Sequence, residues 1–94
     1  MWKDGSPSWD ELEWLSLNLG DSWEPLARRL EFHGGDITGF QNDNEEYGEK
    51  ARSMLVKWKQ RKGSDATYKL LCEALCHEFV QRKDLAEELV RLQL

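Results

Sequence analysis

Between residues 47 and 58 the apolar side chains Tyr47, Ala51, Met54, Leu55 and Trp58 fall at i, i+4, i+7, i+8 and i+11. A strand would send these residues alternately to two faces. A helix at 3.6 residues per turn lines them up as one stripe. The spacing predicts a long helix from about Glu45 to Lys62, stopped by Gly63. Both prolines, Pro7 and Pro25, lie in the first 25 residues, so nothing downstream forbids helix.

The same period recurs along the chain. Ser8 can cap a first helix, with Glu11 three residues on as a capping box requires. Trp9, Leu12, Leu15 and Leu19 form its stripe, and Gly20 ends it. Asp21 or Ser22 is expected to cap a second helix with Pro25 in its first turn and Trp23, Leu26, Ala27 and Leu30 inward. Asp36 is expected to open a short third helix with Ile37 and Phe40 inward, closed by the polar run Gln41–Asn44. Thr67 is a good cap for a fifth helix, Tyr68–Glu78, carrying Leu71, Cys72 and Leu75. Phe79 and Val80 fill the junction, and a sixth helix over Arg82–Leu92 presents Leu85, Ala86, Leu89 and Leu92. Residues 1–8 read as a flexible N-terminal segment and 9–94 as one domain. No stretch sustains the period-two alternation of a half-buried strand. The expected fold is therefore all-α, a bundle of six short helices.

Several chemistries are poorly served by these residues. A chain of 94 residues closes around one modest core and leaves little room for a deep substrate cleft. Cys72, Cys76 and His77 resemble a ligand cluster on paper, but a zinc site needs three or four converging ligands, and adjacent helical positions diverge. No metal site, no nucleophilic Cys/His pair and no cofactor are expected. Gly34-Gly35 lacks the spacing of a phosphate-cradling loop. The paucity of cysteine, with no apolar run long enough to span a bilayer, reads as a reduced intracellular protein, cytosolic or nuclear.

Five pieces in order carry a resemblance. They are Trp23, Leu26, Ala27, Arg28 and Leu30; Asp36, Ile37 and Phe40; Met54, Leu55 and Trp58; Gly63, Ala66, Thr67, Leu71, Ala74 and Leu75; and Asp84, Leu85 and Ala86. Their spacing resembles the death domain over roughly residues 9–92. The resemblance implies a six-helix antiparallel bundle with Greek-key topology and no catalytic activity. It implies homotypic partners in cytoplasmic signalling complexes of apoptosis, inflammation or innate immunity. Death domains also sit at the C-termini of ankyrins and netrin receptors, so a structural module with no homotypic partner is the alternative.

Charge supplies the candidate surface. Residues 1–49 hold 3 Lys/Arg against 12 Asp/Glu, and residues 50–94 hold 10 against 6. Lys50, Lys57 and Arg61 stack on the helix face opposite the Met54–Trp58 stripe, with Arg52, Lys59 and Lys62 beside them. The resemblance implies that the fourth helix forms one side of an asymmetric contact and the second and third helices the other. That second side offers Glu24, Glu31, Asp36 and Asp43, interrupted by Arg28 and Arg29. Patches of opposite sign on one body permit head-to-tail association with other death domains or with copies of itself. Arg28 and Arg29 are expected either to face a partner or to pair internally with Glu24 or Glu31. A nucleic-acid-binding reading rests on the same basic ridge. The acidic first half and a pI near 5.0 oppose it. Neither nucleic acid nor direct membrane binding is expected.

Overall fold

The computed structural model describes residues 2–92. Its order is α1 (Trp9–Leu19), a 3-10 turn (Gly20–Ser22), α2 (Trp23–Arg29), α3 (Gly34–Asp43), α4 (Tyr47–Lys62), a 3-10 turn (Gly63–Asp65), α5 (Tyr68–Cys76) and α6 (Lys83–Arg91). Six α-helices and no strand are present among the described residues. The expected boundary at Leu94 lies outside them.

Local chemistry sets the helix ends. Ser8 Oγ accepts from the Glu11 N–H at 3.1 Å and Glu11 Oε1 accepts from the Ser8 N–H at 2.9 Å, closing the capping box. Gly20 and Gly63 take φ of 55° and 57°, a backbone region costly for any residue with a Cβ, and each ends a helix. Thr67 Oγ1 accepts from the Leu70 N–H at 3.2 Å at the start of α5. Two expectations shift. Ser22 precedes α2, but its side chain makes no capping bond there; its hydroxyl instead accepts from Arg82 Nη1 at 3.3 Å. The third helix starts earlier than Asp36, because His33 is the cap and Asp36 occupies the third helical position, accepting from the His33 N–H at 3.2 Å. It also runs through Gln41–Asp43 rather than ending there. The fifth helix stops at Cys76, where His77 turns extended.

The stripes meet in one core. Leu12, Leu15 and Leu19 of α1 lie against Met54, Leu55 and Trp58 of α4, the most extensive helix pair, while α5 and α6 pack together and α2 touches both α4 and α5. Trp23 and Phe32 each meet Phe40 edge-on, with centroids 6.5 and 5.3 Å apart. Trp9 and Tyr47, assigned inward by spacing, and Phe79, expected to fill the junction after α5, are instead exposed. Trp9 and Tyr47 are the first residues of their helices, and a helical Cβ tilts toward the N-terminus, so each ring projects past the end of its neighbours. Phe79 sits in the turn beyond α5, off any helical stripe, and Val80 alone fills that junction.

Residues 2–8, expected to be flexible, lie against the bundle. Pro7 is buried and its carbonyl accepts from Lys59 Nζ. Gly5 O accepts from the Tyr68 N–H at 2.9 Å. Lys3 Nζ reaches Glu11 Oε2 at 3.1 Å and Leu92 O at 3.0 Å, and stands 4.5 Å from the Tyr68 ring centroid. Glu11 is 1% exposed, yet receives Lys3, the Ser8 N–H and the Tyr68 hydroxyl. Burial alone would raise its pKa; the hydrogen bonds from Tyr68, Ser8 and Lys3 outweigh burial and hold the carboxyl below its usual range. The Tyr68 phenol is pushed up to about 12, first by burial and then by its bond to Glu11. At the other end of α1, Arg82 donates to the carbonyls of Leu19 and Asn18 at 3.3 Å each, satisfying acceptors a helix terminus leaves open.

Candidate protein-interaction surface

α4 presents the cations. Its 16 residues span about 24 Å at 1.5 Å per residue. Its four buried positions, Ala51, Met54, Leu55 and Trp58, fix the opposite side outward. Acidic Glu49 in the first turn and basic Lys59, Arg61 and Lys62 in the last also suit the helix dipole, so part of this charge order stabilises the helix itself.

The structure joins two patches that the sequence suggested were opposed. α3 packs on α4, so the start of α3 meets the last turns of α4. Asp36 Oδ1 lies 3.7 Å from Arg61 and 4.0 Å from Lys57, and Glu31 accepts from Lys62 at 2.8 Å. The hydrogen bond and charge of Lys62 hold the Glu31 carboxyl below its ordinary range. Glu31 and Asp36 are therefore part of the α4 face and not a separate acidic side. The pairing leaves the ridge accessible: Lys57 and Arg61 keep 50% and 43% of their side-chain surface exposed, and both share one carboxylate at long range. Apolar packing under the cations fixes them in place. Arg61 covers the Phe32 ring at 4.7 Å and Lys57 stands 5.8 Å from Phe40.

The other candidates scatter. Among the described residues Lys50, Arg52 and Asp43 have no ion-pair partner within 4.0 Å. Arg52 lines a groove between α1 and α4 with Trp9, Asp10, Glu13 and Val56. Lys59 is withdrawn from the ridge: it serves Pro7 and stands 4.7 Å from the Trp9 ring centroid. Arg28 pairs with Glu24 one turn back at 3.4 Å. Among the described residues Arg29 meets no carboxylate within 4.0 Å, and it turns to His77 and Phe79. Spacing gave no hint of this last cluster, because it joins α2 to the turn after α5.

Cys72 is buried, and burial pushes its thiol up to about 11; Cys76 is exposed, and both are free thiols. Among the described residues no group of three His, Cys, Asp or Glu side chains converges as a metal site would require. No helix there is long and apolar enough to cross a membrane.

A six-helix bundle whose polar outer faces carry ordered charge over a closed apolar core is the architecture of a protein-docking module of the death-fold class. The chain matches the Death domain family over residues 10–92 and belongs to it. It is also similar to THO complex subunit 1 of Mus musculus, 34% identical over 80 residues, and of Homo sapiens, 31% identical over 87 residues. Those alignments cover 85% and 93% of this chain but only 12% and 13% of the relatives. The chain thus spans about an eighth of the length of the curated relatives it matches.

Proposed function

We propose that this domain is a non-enzymatic docking module whose α4 ridge recruits an acidic surface on another protein, another death domain in the first instance. The carrying observation is the charge balance of α4. Lys57, Arg61 and Lys62 line the flank of α4 that meets Asp36 and Glu31, Lys50 and Arg52 project elsewhere from the same helix, and among the described residues only Asp36 and Glu31 come within ion-pair range of these five cations. Exposed pairs of this kind contribute about 0–1 kcal/mol to folding, so stability gives weak reason for so many cations on one helix. A complementary partner gives a stronger one, because interface charges set encounter rate and exclude wrong partners.

The relatives support a setting for the module. They are named as subunits of a complex, and this chain matches a small part of them. That supports a module that docks within a multi-subunit assembly over an adaptor of apoptosis or inflammation. With that shift, the cytoplasmic location expected from the signalling resemblance loses its support. Rigid presentation of the ridge, with any attached chain held near its partner, raises effective concentration without any chemistry in the domain itself.

The test is affinity capture with cross-linking, comparing the domain with a Lys57→Glu/Arg61→Glu variant. Partners that bind the wild type and vanish from the variant, at unchanged helicity, support the reading. An identical set of captured proteins refutes it.

A further inference from the structure

Two carboxylates stand within the α4 ridge, and they are held in different ways. Asp36 is anchored. One of its oxygens accepts from the His33 N–H at 3.2 Å in the cap of α3, and the other faces Arg61 at 3.7 Å and Lys57 at 4.0 Å. Its side chain keeps only 27% of its surface exposed. The Glu31 side chain is held at its tip, where it accepts from Lys62 at 2.8 Å, and 73% of it is exposed.

Stability alone does not account for a glutamate at position 31. The residue follows α2 with φ of 71°, a left-handed backbone that glycine or asparagine adopts at lower cost. Its ion pair with Lys62 is open to solvent, and pairs of that kind contribute little to folding. What the side chain does achieve is positional. It sets a carboxylate on Lys62, beside the Arg61 and Lys57 that already face Asp36. A flank of three cations thus carries two internal anions, one fixed and one free to swing away.

We infer that Glu31 is a displaceable internal competitor for the ridge. An acidic segment of a partner protein binds by taking Lys62 from Glu31, while Asp36, fixed by its cap, stays between Lys57 and Arg61. The inference rests on the docking reading of α4 and adds how that site is regulated. Exchange has two consequences. A lone carboxylate gains little, because the pair it makes with Lys62 replaces one already present. A segment with several neighbouring carboxylates gains more, because it engages Lys57 and Arg61 as well, and the site thereby favours acidic runs over isolated acids. A change of charge at residue 31 also tunes affinity without altering any cation.

Fluorescence anisotropy with fluorescein-labelled deca-glutamate at low salt tests it, with circular dichroism melts as the control for folding. Glu31→Gln binds the probe about two- to fivefold more tightly than wild type, the range an exposed pair is worth, and the difference shrinks as salt rises. Glu87→Gln makes the same change in net charge on α6, which packs against α5 and α1, and it leaves affinity unchanged. Glu31→Gly gives the same tightening and melts no lower than wild type, since glycine suits the left-handed backbone. Lys57→Gln/Arg61→Gln loses most of the binding. A wild type that ignores the probe, or a Lys57→Gln/Arg61→Gln variant that binds as well as wild type, refutes the docking reading itself. If binding does depend on the ridge, three results overturn the competitor and leave the docking reading standing: Glu31→Gln no tighter than wild type, Glu87→Gln as tight as Glu31→Gln, or Glu31→Gly melting below wild type.

Discussion

Replacing Tyr68 with phenylalanine isolates the buried carboxylate. The ring stays in its place, 8% exposed, and only the hydroxyl that donates to Glu11 is lost. Glu11 retains Lys3 and the Ser8 N–H but remains sealed from water, so solvent cannot replace the missing donor. A hydrogen bond to a charged group is worth about 1.5–3 kcal/mol. In a domain this size each kcal/mol moves the melting temperature by about 4–8 °C, which gives a fall of roughly 6–24 °C. Thermal melts followed by circular dichroism measure it. The pH dependence has a definite sign. The neutral phenol of Tyr68 is favoured in the folded state, so its contribution is complete below about pH 10, its ordinary range, and is lost as pH rises toward about 12. Between those limits the gap between wild type and variant narrows. Glu11 is held below its usual range, so its contribution is present above that range and lost on acidification. Removing Tyr68's hydroxyl therefore also moves acid unfolding to higher pH. A variant within about 0.5 kcal/mol of wild type, with an unshifted acid limb, would refute the description of Glu11 as a buried, bonded anion.

Two further perturbations follow from the helix ends. Arg82→Ala leaves the α1 carbonyls of Asn18 and Leu19 without their donor and detaches α6 from Ser22; it is expected to cost about 1–2 kcal/mol in urea titration. Ser8→Ala opens the capping box of α1 and is expected to cost about 1 kcal/mol, while Ser8→Asn, which can still cap, recovers most of it.

The helices and most of the core were legible because stripes at 3.6-residue spacing have one geometric solution, and Met54, Leu55 and Trp58 lie where that spacing puts them. Exposed Trp9 and Tyr47 were misplaced because a stripe does not say where the neighbouring helices end. Glu11 carried a readable signal: it stands four residues before Leu15 and eight before Leu19, a polar residue on the apolar stripe. Its capping role hid its burial. The cations of α4 were legible as a face, but their partners were not. Whether Asp36 opposes Lys57 and Arg61 or neutralises them depends on how α3 packs on α4, and no local pattern encodes that. The Arg29–His77–Phe79 cluster was invisible for the same reason, with 48 residues separating Arg29 from His77.

The claim that the exposed side of α4 is a docking surface meets its most direct test in the dissociation constant of a captured partner, measured by calorimetry for wild type and for Lys57→Gln/Arg61→Gln. Glutamine removes the charges without setting new anions beside Asp36. The account predicts binding weakened about tenfold or more, a shallower salt dependence, and a melting temperature that barely moves, since both side chains are half exposed. Equal affinity for the two proteins, or a variant that no longer folds, would contradict it.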